Sequence, residues 1–376
     1  MVNTVRPFEP DDKDDVLRIC EKVWGSETRY VIASLWDWKH GRDDSAVDKE
    51  RQASLTVLKE GRIAGFGGMI PAQFMIDGKV EYGGAILDTY IDPDARGAGV
   101  KLMKRQIDES GICYGVAIPR LRELCARILK RDDINLRIIE KRYLFLDPTF
   151  VLSRKLPRLI ARGLALAWKL YTSVRWHLLA PKMPEGCSIK EALHFTKDID
   201  KVWARFARQF RFSMTRDAGY LNWRFGSGPF TYQKRILLRR EEIVGCIIFR
   251  KAIFNGEPVV LICEAFATGE SRLDYLLLLG DVYRYAIENR ATRIGTMNTG
   301  CAYFKDALDK MGFLSRVHES MPVIGSWVGN SNERSKIYNQ MGWYISPADA
   351  DIEHTLFDQM SRQALKYAKD NVATAI

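Results

Sequence analysis

The sequence predicts an α/β (α+β) fold made of two tandem copies of one mixed-sheet domain. The main observation is that four segments of the first half return in the same order about 180 residues later. The matched pairs are 4–8 with 188–192, 34–40 with 219–225, 58–65 with 238–245, and 86–91 with 262–267. Because four ordered matches are improbable by chance, we interpret the chain as a duplicated unit.

Each copy is predicted to run strand, helix, three strands, helix, strand. Apolar residues at helical spacing indicate the first helix, with Val16, Ile19, Cys20 and Val23 in one copy and Ile199, Val202, Phe206 and Phe210 in the other. The second helices are expected at residues 99–109 and 273–289, each followed by a short strand. Strands that alternate with helices in this way form a mixed sheet covered by helices.

The predicted boundaries are 1–150 for the N-terminal domain, 151–185 for a basic helical linker and 186–376 for the C-terminal domain. A length of 376 residues suits two domains, each with its own core. The net charge is +10, and the segment from Pro148 to Pro184 alone has seven Lys or Arg residues and no acid. The positive charge is therefore concentrated in the middle of the chain.

Residues 156–171 predict one helix that begins after Pro157. Arg162 and Lys169 interrupt its apolar run, so we expect it to be too short to cross a bilayer. One interpretation is an interfacial helix on an anionic membrane. The other, which we favour, is a connecting helix packed between the domains with its basic side chains in water.

Composition excludes several classes of protein. A hydrophobic content of 47% and a charged content of 28% are those of a globular chain, not of a disordered or multi-span membrane protein. The seven cysteines form no CxxC pair and the five histidines have no ligand spacing, so we predict no disulfide framework and no metal site. With no signal peptide visible, we expect a cytoplasmic protein.

The strongest local motif is Asp-Pro-Asp-Ala-Arg-Gly-Ala-Gly-Val-Lys-Leu-Met at residues 92–103, between a strand and a helix. Gly97 and Gly99 are expected to let the backbone approach a ligand and adopt positive φ. The helix start behind them presents unpaired N–H groups, which hold phosphate, and Arg96 and Lys101 add positive charge. The alternative is a plain tight turn into a helix.

This loop resembles the Arg/Gln-x-x-Gly-x-Gly/Ala loop of the GNAT acyltransferase superfamily, whose backbone amides hold the pyrophosphate of acyl-CoA. Arg96 to Val100 match the family pattern, and Lys101 stands where a small residue is usual. The resemblance covers residues 3–150 and, more loosely, 187–345. The tandem copies also look like the double-domain acyltransferases of bacterial surface-polysaccharide and secondary-metabolite pathways. The acyl-CoA contacts that the resemblance implies are Ile91, Arg96, Gly97, Ala98, Gly99, Val100 and Lys101.

The second copy lacks this loop. It reads Thr-Gly-Glu-Ser-Arg from residue 268, with one glycine and an acid, Glu270, that would repel a pyrophosphate. We therefore expect the first copy to bind the acyl donor. The second copy would shape the acceptor site or serve only as structure.

The resemblance further implies a carboxylate base on the fourth strand of each copy, Asp88 in the first and Glu264 in the second. Burial among apolar residues is expected to raise the pKa of such a carboxyl group towards neutrality. The alternative is a structural carboxylate bonded to a loop or backbone amide. Tyr114, on the next strand, is the candidate acid for the leaving thiolate, although a strand tyrosine is more often core.

Each copy has an aromatic pair in the matched segments 34–40 and 219–225, Trp36 with Trp38 in the first and Tyr220 with Trp223 in the second. They would line an acceptor cleft or, as we favour, form core or the interface between the copies.

Together these features predict an N-acyltransferase. It would move an acyl group, most simply acetyl, from acetyl-CoA or another acyl-CoA to the amine of a small acceptor such as an amino sugar or amino acid. An acyl-carrier protein or an anionic membrane would suit the basic residues 154–182, and a nucleic-acid partner is not expected. Two alternatives stay open: a Fem-like peptidyltransferase that uses aminoacyl-tRNA, and a non-catalytic binding protein.

Overall fold

The computed structural model describes most of the chain as a mixed α/β fold. The described residues are 3–24, 36, 38–40, 54–95, 97–110, 112–116, 135–228, 230–254, 256–269, 271–298, 300–327 and 342–349.

The first half has one long hairpin flanked by two helices. Its elements are β1 (Thr4–Pro7), a 3-10 helix (Pro10–Asp12), α1 (Lys13–Trp24), β2 (Leu55–Lys59), β3 (Arg62–Ile76), β4 (Lys79–Ile91), α2 (Ala98–Ser110), β5 (Ile112–Val116) and β6 (Asn135–Phe145). Helix α1 buries Val16 and Cys20 against the sheet. Its first turn contains Asp14 and Asp15, whose negative charges suit the positive end of the helix dipole. The helix predicted at 99–109 is confirmed as α2.

Two helices then lead into the second half. They are α3 (Thr149–Ser153) and α4 (Arg158–Leu179). The second half contains β7 (Cys187–Glu191), α5 (Asp198–Ala207), β8 (Phe212–Met214), α6 (Ala218–Gly226), β9 (Gln233–Arg239), β10 (Glu242–Phe254), β11 (Glu257–Ala267), α7 (Arg272–Glu288), β12 (Arg293–Asn298), α8 (Ala302–Met311), β13 (Leu314–Trp327), β14 (Trp343–Tyr344) and a 3-10 helix (Pro347–Asp349). The predicted order of strands and helices is thus present in both halves, with β8 and α6 as additional elements before β9 in the second half.

Fine details of the backbone repeat as well. The turn between β2 and β3 has positive φ at Glu60 (54°) and Gly61 (77°), and the turn between β9 and β10 has positive φ at Arg240 (49°) and Glu241 (67°). Each hairpin then has a bulge just before its Ile-x-Gly glycine, Gly65 in one and Gly245 in the other. A shared turn and a shared bulge support the duplication more strongly than residue identity does.

The two halves exchange strands in the middle of one continuous sheet. Its order is β1-β2-β3-β4-β5-β13-β6-β12-β11-β10-β9-β7, with β14 beside β8 and β8 beside β3. Strand β6 of the first half pairs with β12 of the second, and β13 of the second pairs with β5 of the first. The boundaries predicted near residues 150 and 186 divide the chain but not the sheet, because neither half completes its sheet alone.

Equivalent tryptophans of the repeat meet where the halves pack together. The indole N–H of Trp38 donates to the Trp223 carbonyl (3.1 Å), and that of Trp223 donates to the Trp38 carbonyl (3.2 Å). Their rings stack with centroids 5.5 Å apart. A reciprocal contact between equivalent residues is the signature of a two-fold relation. Trp38 and Trp223, one from each of the aromatic pairs in the sequence, thus lie at the interface between the halves.

One core runs through both halves. Phe74 of β3 stacks on Phe212 of β8 (5.3 Å), which contacts Trp343 of β14 (4.4 Å). Two smaller clusters lie in the first half, one under α1 around Phe66 and one under α2 around Leu102. Because the large cluster contains residues of β3, β8 and β11 together, the halves fold as one body.

The linker helix departs from the interpretation that we favoured. Helix α4 buries Ala161, Ala165 and Thr172, yet several leucines of the same helix lie in solvent. An ordinary connecting helix has the opposite pattern, with its large apolar side chains inside.

We predict that Trp38 and Trp223 act as a unit in stability. Replacing either with alanine should lower the free energy of unfolding by about 2 kcal/mol, because a large, half-buried ring and its hydrogen bond are lost. The double variant should lose at least about 1 kcal/mol less than the sum, since each ring packs on the other. Urea unfolding of the four proteins measures this. Trp176→Ala, which removes a ring stacked on Tyr283, serves as the control, and strictly additive losses for Trp38 and Trp223 would contradict the shared interface.

Candidate functional site

Strand β4 is distorted at Asp88. Gly67 pairs with Thr89 and Gly68 with Leu87, so Asp88 has no partner on β3 and forms a bulge. Its φ of 50° lies in the left-handed region, which is uncommon for a residue with a side chain. Such distortions inside a sheet concentrate at functional sites.

The Asp88 carboxylate is the centre of a buried polar cluster. It lies 3.1 Å from Lys39 Nζ and 3.3 Å from His40 Nε2, and it accepts a hydrogen bond from the Tyr90 hydroxyl at 2.9 Å. The side chain of Asp88 is 9% exposed, that of Lys39 5% and that of His40 4%. His40 packs against the rings of Trp36 and Phe66.

These partners reverse the expected pKa of Asp88. Burial alone raises the pKa of this carboxyl group, but the charge of Lys39 and the hydrogen bond from His40 outweigh it. The pKa therefore lies well below its usual 3.8, and the predicted rise is wrong. The reason is that the side chains of Lys39 and His40 are buried beside the carboxylate and stabilise its charged form.

A small cavity lies beside this cluster, between the two halves. Its walls come from β3, β4, β8, α6 and the C-terminal 3-10 helix. The lining residues are Trp38, Lys39, Ile70, Pro71, Ala72, Ala85, Leu87, Met214, Tyr220, Trp223, Arg224, Ala348 and Asp349. Lys39 thus lies between the cavity and Asp88. A mostly apolar cleft with a few charged groups is typical of a small-molecule site.

The glycine loop leads from β4 into α2. The Asp92 N–H donates to the Ala64 carbonyl (2.9 Å) and the Ala98 N–H to the Ala95 carbonyl (3.1 Å), which fixes the turn. Gly97 has a φ of 78°, and a side chain there would meet no described residue within 4 Å, so this part of the loop is open. The first N–H groups of any helix lack partners within it. This helix entrance is therefore accessible to an anion.

Gly99 differs from the expectation. It lies inside α2, and only Gly97 of the pair has positive φ. A Cβ at residue 99 would lie 3.2 Å from Ile91 Cγ1, so the glycine lets α2 approach the end of β4. Val100 is half-buried, and Lys101 is exposed in the first turn of α2.

Lysines hold the two acidic residues of the loop. Lys22 Nζ lies 2.8 Å from a carboxylate oxygen of both Asp92 and Asp94, and Lys59 Nζ donates to the Asp94 carbonyl. Lys22 lowers the pKa of the Asp94 carboxyl group. The carboxylates are thus neutralised beside the helix entrance, where free negative charge would repel a phosphate.

Strands β4 and β5 separate next to the loop. They pair only at Gly84 with Cys113 and at Ala85 with Tyr114, while β4 continues to Ile91. Beyond this pairing one edge of β4, including the Asp88 bulge and Ile91, has no neighbouring strand among the described residues. An extended ligand can bond to such an edge as an added strand does.

The second half has a filled helix entrance at the equivalent place. The Thr268 N–H donates to the Val244 carbonyl (2.8 Å), as Asp92 does to Ala64, and Ser271 caps α7. Asp274 is fully buried in the first turn, and its Oδ2 lies 2.5 Å from where a Cβ on Gly269 would be. Burial raises the pKa of Asp274, although Arg239 opposes the shift. An internal carboxylate thus occupies the space that the first half leaves open.

Glu264 is sealed in the core. Its carboxylate accepts from Arg216 Nε (2.6 Å) and from the Ser346 hydroxyl (2.7 Å), and the Tyr344 hydroxyl also donates to it. Neither Glu264 nor Arg216 has any exposed side-chain surface. A substrate cannot reach this carboxylate in the folded chain, so the geometry gives Glu264 a structural role.

The structure does not describe the side chains of the remaining candidate residues. Arg96 and Glu270 lie outside the described residues, and Tyr114 lies on β5 with its side chain outside them. Sequence reasoning missed Lys39 and His40 as partners of Asp88. Their signal was the repeated aromatic segment 34–40, which ends in these two residues. Within the described part of the chain, no group of three His, Cys, Asp or Glu residues is arranged to hold a metal.

The chain is similar to solved structures that are described as acyltransferases or as a probable acyltransferase. A GCN5-related N-acetyltransferase from Anabaena variabilis is similar with a TM-score of 0.58 and 10% identity, over 87% of this chain and 73% of the other. A probable N-acyltransferase from Enterococcus faecalis gives 0.57 and 12%, over 87% and 73%. Saccharomyces cerevisiae N-myristoyltransferase with bound myristoyl-CoA gives 0.51 and 11%, over 87% and 79%.

No protein-family model and no curated protein matches the sequence. The predicted fold is confirmed: the chain has the GNAT-like fold, with two GNAT-like halves.

We predict a pH-dependent contribution of Asp88 to stability. A carboxyl group whose pKa is lowered by folding stabilises the protein above its unfolded-state pKa, and this is lost as pH falls through the native pKa. Asp88→Asn should lower the free energy of unfolding at pH 7 by about 3 kcal/mol, because Lys39 loses its buried partner. The difference in the free energy of unfolding between wild type and Asp88→Asn should become smaller as the pH falls below 3.8, the ordinary pKa of an aspartate carboxyl group.

Urea unfolding of both proteins across this pH range measures the effect. Asp77→Asn, at an exposed ion pair with Arg211, is the control and should cost under about 1 kcal/mol. A difference for Asp88→Asn that stays constant through the acid range would refute the lowered pKa.

Proposed function

We propose that the protein is an N-acyltransferase that transfers an acyl group, most simply acetyl, from acyl-CoA to the amine of a small acceptor. The observation that carries this is the open helix entrance at Gly97, at the end of a bulged strand that borders the cavity between the halves. The GNAT-like fold supports acyl transfer in general. The yeast neighbour holds bound myristoyl-CoA, which supports acyl-CoA as the class of donor.

The donor would bind along the first half. The N–H groups of Gly99, Val100 and Lys101 would hold the pyrophosphate, with Arg96 and the Lys101 side chain adding charge. The pantetheine arm would bond to the free edge of β4 up to Ile91, which would bring the thioester to the Asp88 bulge. The second half would not bind a donor, because Asp274 occupies its helix entrance.

The acceptor would occupy the cavity between the halves. Its aromatic walls, Trp38, Tyr220 and Trp223, suit a flat or apolar face of a small amine. Catalysis would rest on holding the amine against the thioester and on a backbone N–H of the bulge that stabilises the oxyanion.

The proton of the amine would pass to the Asp88–His40 pair. With its lowered pKa, Asp88 alone is a weak base at neutral pH, since an efficient base has a pKa near the working pH. His40 bonds Asp88 through Nε2, and its Nδ1 has no hydrogen-bond partner among the described residues. Because His40 contacts the Asp88 carboxylate through one ring nitrogen and leaves the other available, we assign the base function to the pair.

We predict that Lys101→Glu weakens binding of acetyl-CoA and CoA at least about tenfold, because a carboxylate replaces a cation at the helix entrance. Lys104→Glu is the matched control: it makes the same charge change at another exposed position of the same helix, beyond the first turn. It should weaken binding less than about threefold. Isothermal titration calorimetry measures both affinities. A wild type that binds neither ligand would overturn the proposed function, and equal effects of the two variants would move the site elsewhere.

We also predict that Asp88→Asn and His40→Gln each lower kcat about 100-fold while leaving acetyl-CoA affinity within about threefold. The double variant should be hardly slower than either single one, because both residues act as a unit. Release of CoA with a panel of amines, followed across pH, gives the rates. Full activity of either single variant would exclude the pair as the base.

A further inference from the structure

Helix α4 has an apolar face that points away from the protein. Its most exposed large side chains are Leu159 (82%), Leu178 (79%), Leu166 (70%) and Leu170 (66%). Ile160, Leu164, Tyr171 and Val174 of the same helix are also about half exposed or more. Exposed leucines are common singly, but eight large apolar residues on one helix form a continuous patch that marks an interaction surface.

The opposite face of α4 accounts for its attachment. Ala161, Ala165 and Thr172 are buried, and the indole N–H of Trp168 donates to the Phe145 carbonyl at 2.7 Å. Lys169 Nζ lies 2.5 Å from Asp147 Oδ2. The helix is thus docked by its small residues together with Trp168 and Trp176, and its exposed leucines contribute nothing to the core.

Helical geometry puts the exposed apolar residues on one side. At about 100° per residue, Leu159, Leu166 and Leu170 fall within about 40° of each other, and they lie about 100–180° around the helix from Ala161 and Ala165. Arg158 and Arg162 lie between the two faces, on the same flank as Lys169. With 22 residues the helix is about 33 Å long. The apolar stripe therefore runs along the outer side of the helix, with basic residues along its edge.

The charge of the segment that contains α4 indicates the class of partner. Between Pro148 and Pro184 there are seven basic residues and no acidic one. A leucine-rich stripe with a basic edge is the composition of helices that lie in the headgroup region of anionic membranes. No helix among the described residues is both long and apolar enough to cross a bilayer, so α4 would lie along the surface.

We propose that α4 docks the protein on an anionic phospholipid bilayer, with the leucine stripe among the acyl chains and the arginines at the lipid phosphates. The proposal stands on the exposure and charge of α4 and does not depend on the proposed acyl transfer. An acidic protein partner would satisfy the bases but would not explain an outer face made of leucine. A second copy of the chain would bury the leucines but would oppose two basic helices.

Vesicle co-sedimentation tests the proposal. The probes are phosphatidylcholine vesicles with and without phosphatidylglycerol. Wild type should bind the phosphatidylglycerol vesicles, bind pure phosphatidylcholine at least about tenfold more weakly, and lose affinity as salt rises. Leu166→Glu should reduce binding at least about tenfold. The variant loses a leucine that would be buried among the acyl chains, and a charged side chain would have to enter the membrane interface in its place.

Leu193→Glu is the matched control, because Leu193 is a leucine of similar exposure (77%) outside α4. It should bind vesicles as wild type does. Arg162→Glu should weaken binding to phosphatidylglycerol vesicles and flatten the salt dependence.

Two results would overturn the proposal. One is a wild type that stays in the supernatant with both kinds of vesicle. The other is a dimer in analytical ultracentrifugation that Leu166→Glu dissociates and Leu193→Glu does not, because a second copy would then be the occupant of the stripe.

Discussion

The buried Arg216 guanidinium holds together the parts of the chain that form the cavity. It binds Glu264 of β11 through Nε and Asp349 of the C-terminal 3-10 helix through Nη2, both at 2.6 Å. Burial lowers the pKa of Arg216, but the two carboxylates outweigh it, so the pKa lies well above its usual value and the charge is permanent. Losing one partner of such a buried cluster costs about 3–5 kcal/mol, because the remaining charges stay in the core unpaired. The network thereby fixes the cavity wall at Asp349.

The cavity exists because the halves interlock. Strand exchange makes each half depend on the other for a complete sheet, and the Trp38–Trp223 contact joins the halves in the wall of the cavity. Duplication alone would give two equivalent ligand entrances. The chain departs from this symmetry at the start of the helix after the fourth strand, which is open at Gly97 and filled by Asp274 in the other half. One side is thus suited to a phosphate and the other to structural support.

Much of the fold could be predicted from the sequence because it is encoded locally. The turns after Lys59 and Arg239, the Ile-x-Gly strands and the helical spacing from Val16 are short-range patterns that repeat. The strand exchange could not be predicted, since β6 would have the same composition whichever half it joined. The Gly97 loop can be recognised from its sequence motif. Nothing in the sequence distinguishes Asp274 from any other acid in the first turn of a helix. Only tertiary packing shows that it fills the entrance.

The pKa of Asp88 shows where sequence reasoning about a site fails. Position on an apolar strand predicts burial, and burial by itself raises a carboxyl pKa, so that step of the reasoning holds. The sign of the net shift depends on partners far away in the sequence, here Lys39 and His40. Glu264, the counterpart of Asp88 in the second half, is also paired with a cation, Arg216. The side chains of both Glu264 and Arg216 have no exposed surface. A buried carboxylate held by a cation is therefore common to both halves. In the first half the cation, Lys39, lines the cavity, whereas Arg216 has no exposed side-chain surface, and this separates a candidate site from a structural ion pair.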